Sequence, residues 1–290
     1  MKTVPVGVFS KAAFTRTDLV FVLATSATLC LLAASATATT TTQSQSTGCV
    51  SNNRKLIDAW SHYAADNNGN MTGPVHGGAA QQAPPFEGLG ASTSGAHPWC
   101  VGWLDWTLSA ANTNYNYMTH PSYGSLALYV NRDKEIFKCP SDRYVSPAQA
   151  RVGWTSRARS YTANIGVGDG NGGPTDGPWD PGYLKARRLS QLVNPAPSSV
   201  YVFIEEHPDS MNDGAFFSPQ FTATRSWIDY PGNLHEGAAT LAFADGHVEQ
   251  KVWASNIRTL PVRFNFTAPA PSAGDQADIL YLAARTPKNP

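Results

Sequence analysis

Apolar residues follow two different patterns in the first quarter of the chain. From Leu19 to Ala36 they run almost without interruption, over a length that just reaches the lower limit for a membrane-spanning helix. From Cys49 to Asn67 they recur every three or four positions, which predicts an amphipathic helix that packs on a sheet. Asn68 and Gly69 follow as a stop signal, because both tolerate the left-handed conformation that ends a helix.

Strand patterns appear later in the chain. Ser160–Gly166 is a short candidate, and Ser198–Glu205 is a clear strand of β-branched and aromatic residues after a proline-rich turn. Thr240–Ala244 and His247–Trp253 read as two strands joined by Asp245-Gly246, which predicts a hairpin with a two-residue turn. One helix first, strands late and hairpins in place of strand–helix alternation favour an α+β fold with long ordered loops.

The stretch between the two helical patterns is rich in threonine. Thr37–Thr47 consists of β-branched and polar residues that are poor helix formers, so it is either a flexible linker or a weakened part of the helix. The chain therefore divides into residues 1–13, an apolar helix over 14–36, the linker or weak helix over 37–48, and an α+β domain over 49–290. Asp278–Ala284 has helical spacing and is expected to pack on the edge of that domain.

Composition excludes some classes of function. Lysine plus arginine and aspartate plus glutamate number 21 each, and basic runs are absent, so the chain has no electrostatic footprint for nucleic acid. The sequence also has no GxSxG nucleophile motif, and no Lys-Ser/Thr pair follows the glycine-rich Gly166–Gly173 to make a phosphate loop. We therefore do not expect an enzyme, although a metal-dependent hydrolase stays open as an alternative.

The amino terminus resembles the processing site of type IV prepilins and type II secretion pseudopilins. The resemblance lies in the segment from Lys11 to Leu19, with cleavage between Ala13 and Phe14 and an acid, Asp18, at the fifth mature position. Because a carboxylate beside an apolar helix needs a partner, Asp18 would pair with the new α-amino group of a neighbouring subunit. The alternative is an ordinary secretory signal with an Ala-x-Ala site at Ala34–Ala36 or Ala36–Ala38.

The rest of the chain resembles prepilin-type proteins that carry a histidine, nine residues and then Asp-Gly. Here these are His235, residues 236–244, and Asp245-Gly246. Further segments resemble the same family in order along the chain: Cys49…Asn52…Leu56, Tyr63-x-x-Asp66-Asn67-Asn68-Gly69, Phe137-x-Cys139-Pro140-Ser141-Asp142, Ser160-Tyr161…Asn164, Glu205–Ser210 with Asn212-Asp213-Gly214, and Phe243–His247.

This resemblance implies a pilin-like fold, in which an N-terminal hydrophobic helix extends into an amphipathic helix packed on an antiparallel sheet. The prepilin-like start and the helix that follows it favour a structural subunit of a type II secretion or type IV pilus-like assembly, with prepilin peptidase and other pilin-like subunits as partners. The inner membrane would hold the N-terminal helix, and the body would lie in the periplasm or outside the cell.

Three cysteines lie in the body of the chain, namely Cys49, Cys100 and Cys139, and no CxxC pair is present. In an exported domain two of them are expected to form a disulfide. We favour Cys49–Cys139, with Cys100–Cys139 as the alternative.

Carboxylates and imidazoles cluster around the last predicted strands. As an alternative function they would form a metal site of an exported binding or hydrolytic domain. The candidates are Glu206, Asp209, Asp213, His235, Asp245 and His247. The competing interpretation is that Asp245 and Gly246 only form a turn and the acids only pin a loop. Pseudopilins that resemble this chain can carry Ca²⁺ in a C-terminal loop, so Ca²⁺ is the expected ion if these residues bind a metal. A second calcium candidate rests on composition alone: Asp169, Asn171, Asp176 and Asp180.

Overall fold

A computed structural model describes residues 16–81, 98–168, 170, 177–178, 180–217, 226–266 and 271–289. Within the first helix, residues 18, 27 and 29–43 are described by their backbone only. The chain forms two compact units, residues 1–44 and residues 45–290. Ala13 and Phe14 lie outside the described residues.

The first helix, α1, runs from Arg16 to Asp66 without a break. Its path includes residues 37–48, so this stretch takes the helical alternative that the sequence left open. The helix ends at the predicted stop signal, where Asn68 and Gly69 have φ angles of 56° and 80° and the Gly69 amide donates to the Ala64 carbonyl at 2.8 Å. In the described part of the chain, no helix has both the length and the apolar composition needed to cross a bilayer.

The remaining helices are short. They are α2 (Gly77–Gln81), α3 (Asn116–Thr119), α4 (Pro147–Arg151) and α5 (Asp275–Ala283), and five 3₁₀ turns are interspersed among the described residues. The helix predicted over Asp278–Ala284 is confirmed by α5. The α+β class is also confirmed, because one long helix is combined with a sheet of late strands.

The sheet has five strands in the order β3-β1-β2-β4-β5. Their bounds are β1 (Tyr161–Asn164), β2 (Tyr201–Glu205), β3 (Ala215–Phe216), β4 (Ala238–Phe243) and β5 (Val248–Val252). The prediction of an antiparallel sheet is wrong for one strand, since β3 is parallel to β1. After β2 the chain reverses and passes beyond β1 to its outer edge, so β3, which runs opposite to β2, has the direction of β1.

The hairpin of β4 and β5 forms where the sequence predicted it, but its turn is longer than two residues. Phe243 donates its amide to the His247 carbonyl at 2.9 Å, and Gly246 donates to the Phe243 carbonyl at 2.8 Å. This leaves a three-residue loop in which Gly246 has a φ of +93°, a conformation that glycine adopts without steric cost. Asp245 completes the turn by accepting from the His247 amide at 3.1 Å.

Buried side chains lie on both faces of the sheet. Alternate residues of β4 point to opposite faces. Ala242 joins a cluster with Leu56 and Trp60 of α1, whereas Leu241 joins a second cluster with Leu282 of α5. The carboxyl-terminal part of α1 therefore covers one face of the sheet, and α5 with the last loops covers the other.

Truncation of Leu56 tests the packing of α1 on the sheet. Leu56 is fully buried, so Leu56→Ala should lower the free energy of unfolding by about 3 kcal/mol, since it removes methyl groups and leaves a cavity. Asp58 is exposed on the same helix, and Asp58→Ala should change the stability by less than about 0.5 kcal/mol. Urea unfolding of the full chain, followed by tryptophan fluorescence, measures both. Equal effects of the two substitutions would contradict the packing.

Candidate metal centre

Cys49 places a thiol on the buried face of α1. It is fully buried and is followed on the same face by Asn53 and Leu56, at the four- and seven-residue spacings of one helix stripe. The Asn53 side-chain amide donates to the Cys49 carbonyl at 3.3 Å. The thiol therefore faces the sheet.

Glu205 ends β2 and directs a carboxylate toward the same point. It pairs in register with Tyr161 of β1 and is completely buried. Its Oε2 accepts the Thr240 amide of β4 at 2.6 Å. Its Oε1 lies 2.6 Å from Cys49 Sγ and 3.0 Å from His235 Nε2.

His235 and Cys139 complete the cluster from two loops. His235 forms a bridge with Ala238 just before β4, across a tight turn in which Gly237 has a φ of +86°. Cys139 follows the 3₁₀ turn Lys134–Phe137, and its Sγ lies 3.4 Å from His235 Nε2. The Ser141 amide donates to the same sulfur at 3.4 Å.

One ligand-type atom from each of Cys49, Cys139, Glu205 and His235 lies within 4.8 Å of all the others. All four residues are buried, and His235 is the most exposed at 6%. This is the one group of three or more potential metal ligands among the residues that the structure describes. We call it the Cys₂GluHis cluster.

The cluster has strongly shifted acid–base properties. Burial alone would raise the pKa of Glu205, but hydrogen bonds from His235 and the charge of that imidazole outweigh burial and lower it. Burial would lower the pKa of His235, but contacts with Cys139 and Glu205 outweigh it and raise the pKa to about 10. The pKa of the Cys49 thiol is raised well above its ordinary value, first by burial and then by Cys139 and Glu205. When only protons occupy the cluster, it therefore holds an imidazolium–carboxylate pair beside a neutral Cys49 thiol at neutral pH.

The geometry argues against a cysteine–histidine–acid catalytic triad. A triad uses both ring nitrogens, one toward the nucleophile and one toward the acid. Here Nε2 of His235 contacts both Cys139 and Glu205, whereas its buried Nδ1 has no hydrogen-bond partner among the described residues. Donor atoms that converge on one point fit a metal ion better than they fit proton relay.

The favoured disulfide partners lie together, but they are not bonded. Cys49 and Cys139 are buried free thiols, and both belong to the Cys₂GluHis cluster. Cys100 is also a buried free thiol, and it lies outside that cluster.

The structure does not bring the six predicted metal residues together, and His235 alone among them belongs to the cluster. The other five have partners of their own. Glu206 accepts from the Ser210 hydroxyl at 2.7 Å, and Asp209 accepts the Arg263 amide at 2.6 Å. Asp213 accepts the amides of Gly77 and Ala215. Asp245 and His247 form an exposed pair at 2.6 Å.

In the second calcium candidate, Asp180 accepts the Gly182 amide. Asp169, Asn171 and Asp176 lie outside the described residues.

The set of metal ligands predicted from the sequence leaves out Glu205, and Cys49 and Cys139 are assigned there to a disulfide only. Glu205 stands directly before Glu206 at the end of an apolar strand, so the wrong member of the pair was chosen. Strand alternation could have separated them, because successive residues point to opposite faces. Glu205 shares the α1 face with Phe203, whereas Ile204 faces the other side.

Comparison of the chain with protein-family models, with curated proteins and with solved structures gives no match.

Asp213 generates a prediction about pH. Burial raises its pKa to about 6, against the opposing effect of hydrogen bonds from Gly77 and Ala215. An acid with a raised pKa favours folding while it is protonated, so its contribution is present below about pH 4 and is lost as the pH rises through about 6. We expect this one group to remove about 3 kcal/mol from the free energy of unfolding over that window.

Asp213→Asn should flatten this part of the stability profile, and Asp58→Asn, an exposed control, should leave it unchanged. Urea midpoints between pH 4 and pH 7 measure the difference. An unaltered profile in Asp213→Asn would show that Asp213 does not titrate in this range.

Proposed function

We propose that this chain is an exported, pseudopilin-like structural subunit, which assembles with other pilin-like subunits through its amino-terminal helix. The observation that carries the proposal is the unbroken helix α1, 51 residues long. One part of it belongs to the unit 1–44 and the other part to the unit 45–290. A long amino-terminal helix is what the resemblance to pilin-like subunits implies, so the length of α1 supports the proposal.

The two parts of α1 have opposite surroundings. In the carboxyl-terminal part, Leu56 and Trp60 are at most 1% exposed. In the amino-terminal part, the five consecutive apolar residues 19–23 are 50–67% exposed. Five consecutive residues cover every side of a helix, and apolar surface of that extent requires a cover of lipid or of other helices. Neighbouring subunits in a filament, and the inner membrane before assembly, would supply such a cover.

The sequence supports the same role. The prepilin-like segment around Ala13, Phe14 and Asp18 supplies a processing signal, and the domain that follows has the predicted helix and hairpin. Processing by prepilin peptidase, the inner-membrane location and the pilin-like relationship are parts of the proposal.

A hydrolytic function is less well supported. Among the acids and histidines expected to form such a site, His235 alone belongs to a convergent group of ligand atoms, and each of the others has a hydrogen-bond partner within the fold. The Cys₂GluHis cluster is buried on all sides, which suits a structural role better than access by a substrate.

Determination of the mature amino terminus tests the proposal. The full chain would be expressed in a Gram-negative host with a prepilin peptidase, and the mature protein would be analysed by mass spectrometry. We expect it to begin at Phe14 with an N-methyl group, and to stay uncut in a host that lacks the peptidase. A start at Thr37 or Thr39 would mean a secretory signal and would contradict the filament role.

Two matched substitutions sharpen this test. Ala13→Leu removes the small residue before the prepilin-type cut, so it should abolish processing. Ala36→Leu alters both candidate Ala-x-Ala sites, and it should leave the start at Phe14 unchanged. The reverse pattern would identify a signal peptidase as the processing enzyme.

A further inference from the structure

We propose that Cys49, Cys139, Glu205 and His235 bind one zinc ion in a closed, tetrahedral structural site. The proposal rests on the convergence of four ligand atoms within 4.8 Å of one another. It is independent of the filament role, because a metal site in the domain needs neither processing nor assembly.

The spacing of the donor atoms suits zinc. Bond lengths of about 2.3 Å to sulfur and about 2.0 Å to nitrogen or oxygen give tetrahedral edges of about 3.3–3.8 Å. Cys139 Sγ lies 3.4 Å from His235 Nε2, and that nitrogen lies 3.0 Å from Glu205 Oε1. The edge from Cys49 Sγ to Glu205 Oε1 is shorter, at 2.6 Å. A rotation of side chains that opens this edge by about 1 Å would complete the tetrahedron.

The kinds of donor select the metal. Calcium and magnesium prefer six or more oxygen ligands, whereas two sulfurs, one imidazole nitrogen and one carboxylate oxygen in a tetrahedral arrangement favour zinc. The expectation of Ca²⁺ came from the resemblance to pseudopilins, and apart from His235 the ligands predicted for it do not belong to the group of donor atoms that converge in the structure. The Cys₂GluHis cluster instead contains sulfur and nitrogen donors, which are softer than the oxygen donors that calcium prefers.

Neighbouring groups hold the donors in place. Thr240 donates its amide to the outer carboxylate oxygen of Glu205 at 2.6 Å, and Ser141 donates to the Cys139 sulfur at 3.4 Å. Hydrogen bonds to metal ligands of this kind fix their orientation and strengthen binding. All four positions are filled by protein atoms, so the ion would have no open site for a substrate.

The consequence is a cross-link between parts of the fold that are far apart in sequence. The four ligands come from α1, from the loop after Lys134–Phe137, from the end of β2 and from the turn before β4. Zinc binding requires thiolate sulfurs and a neutral imidazole. The ion therefore displaces the protons of these groups and replaces the hydrogen bonds among the four side chains. Bound zinc would then hold α1 against the sheet.

A disulfide between Cys49 and Cys139 is the competing state. It would use the same two sulfurs at about 2.05 Å, and a pair oxidised in this way no longer supplies thiolate ligands. The two states are therefore mutually exclusive, and they can be told apart by metal content and by the number of free thiols.

The test uses the full chain, purified in detergent under reducing conditions. Zinc is supplied during purification, and unbound zinc is then removed by dialysis. Elemental analysis should find about one zinc per chain. Replacement of zinc by Co²⁺ should give the intense visible absorption of a tetrahedral site and a near-ultraviolet thiolate charge-transfer band. Both readouts use the unmodified protein, so they do not depend on whether any variant folds.

Substitutions then identify the ligands. Cys139→Ser and His235→Ala should lower the bound zinc by about tenfold or more. Cys100→Ser removes a buried thiol outside the cluster and should keep the zinc. His235→Cys replaces one zinc ligand by another and should also keep it.

Several results would overturn the proposal. One is a reduced, zinc-supplied chain that holds no zinc, and another is a chain that always carries a Cys49–Cys139 disulfide. Iron or copper in place of zinc at the same stoichiometry would refute the identity of the ion. Full zinc content in Cys139→Ser would refute the ligand set. None of these results bears on the start at Phe14, so the two proposals fail separately.

Discussion

The burial of the Glu205 carboxylate is the constraint on which the rest of the domain depends. A buried carboxylate without partners costs several kcal/mol, and the partners of Glu205 come from three other segments: Cys49 on α1, His235 before β4 and Thr240 within β4. These groups meet only when α1 is docked and β2 and β4 are in register. The cluster therefore couples the position of α1 to the pairing of the sheet.

The histidine–nine residues–Asp-Gly pattern has a simple meaning in this fold. His235 lies just before β4 and belongs to the Cys₂GluHis cluster, whereas Asp245-Gly246 lies in the turn that follows the strand. The nine intervening residues are the turn that leads into β4, the strand itself and Ala244, and Ala244 begins the hairpin loop. The nine-residue spacing thus reflects the length of β4, which separates the cluster histidine from the hairpin turn. The histidine and the Asp-Gly pair do not form one site.

Sequence patterns within single segments predicted the elements whose formation depends mainly on neighbouring residues. The periodicity of Cys49–Asn67 gave the docked part of α1, and β-branched runs with a glycine turn gave β2 and the β4–β5 hairpin. The pairing of β3 could not be predicted, because two residues carry no usable pattern and their direction depends on the path of the preceding loop. The cluster could not be predicted either. Its members lie up to 186 residues apart, from Cys49 to His235, and only the assembled sheet brings them together.

X-ray absorption at the zinc edge of the full chain tests the central claim most directly, because it reads the atoms around the ion. The account predicts two sulfur neighbours at about 2.3 Å and two nitrogen or oxygen neighbours at about 2.0–2.2 Å. A shell of nitrogen and oxygen atoms without sulfur would place any bound zinc elsewhere on the protein. It would contradict the assignment of the Cys₂GluHis cluster as the metal site that joins α1 to the sheet.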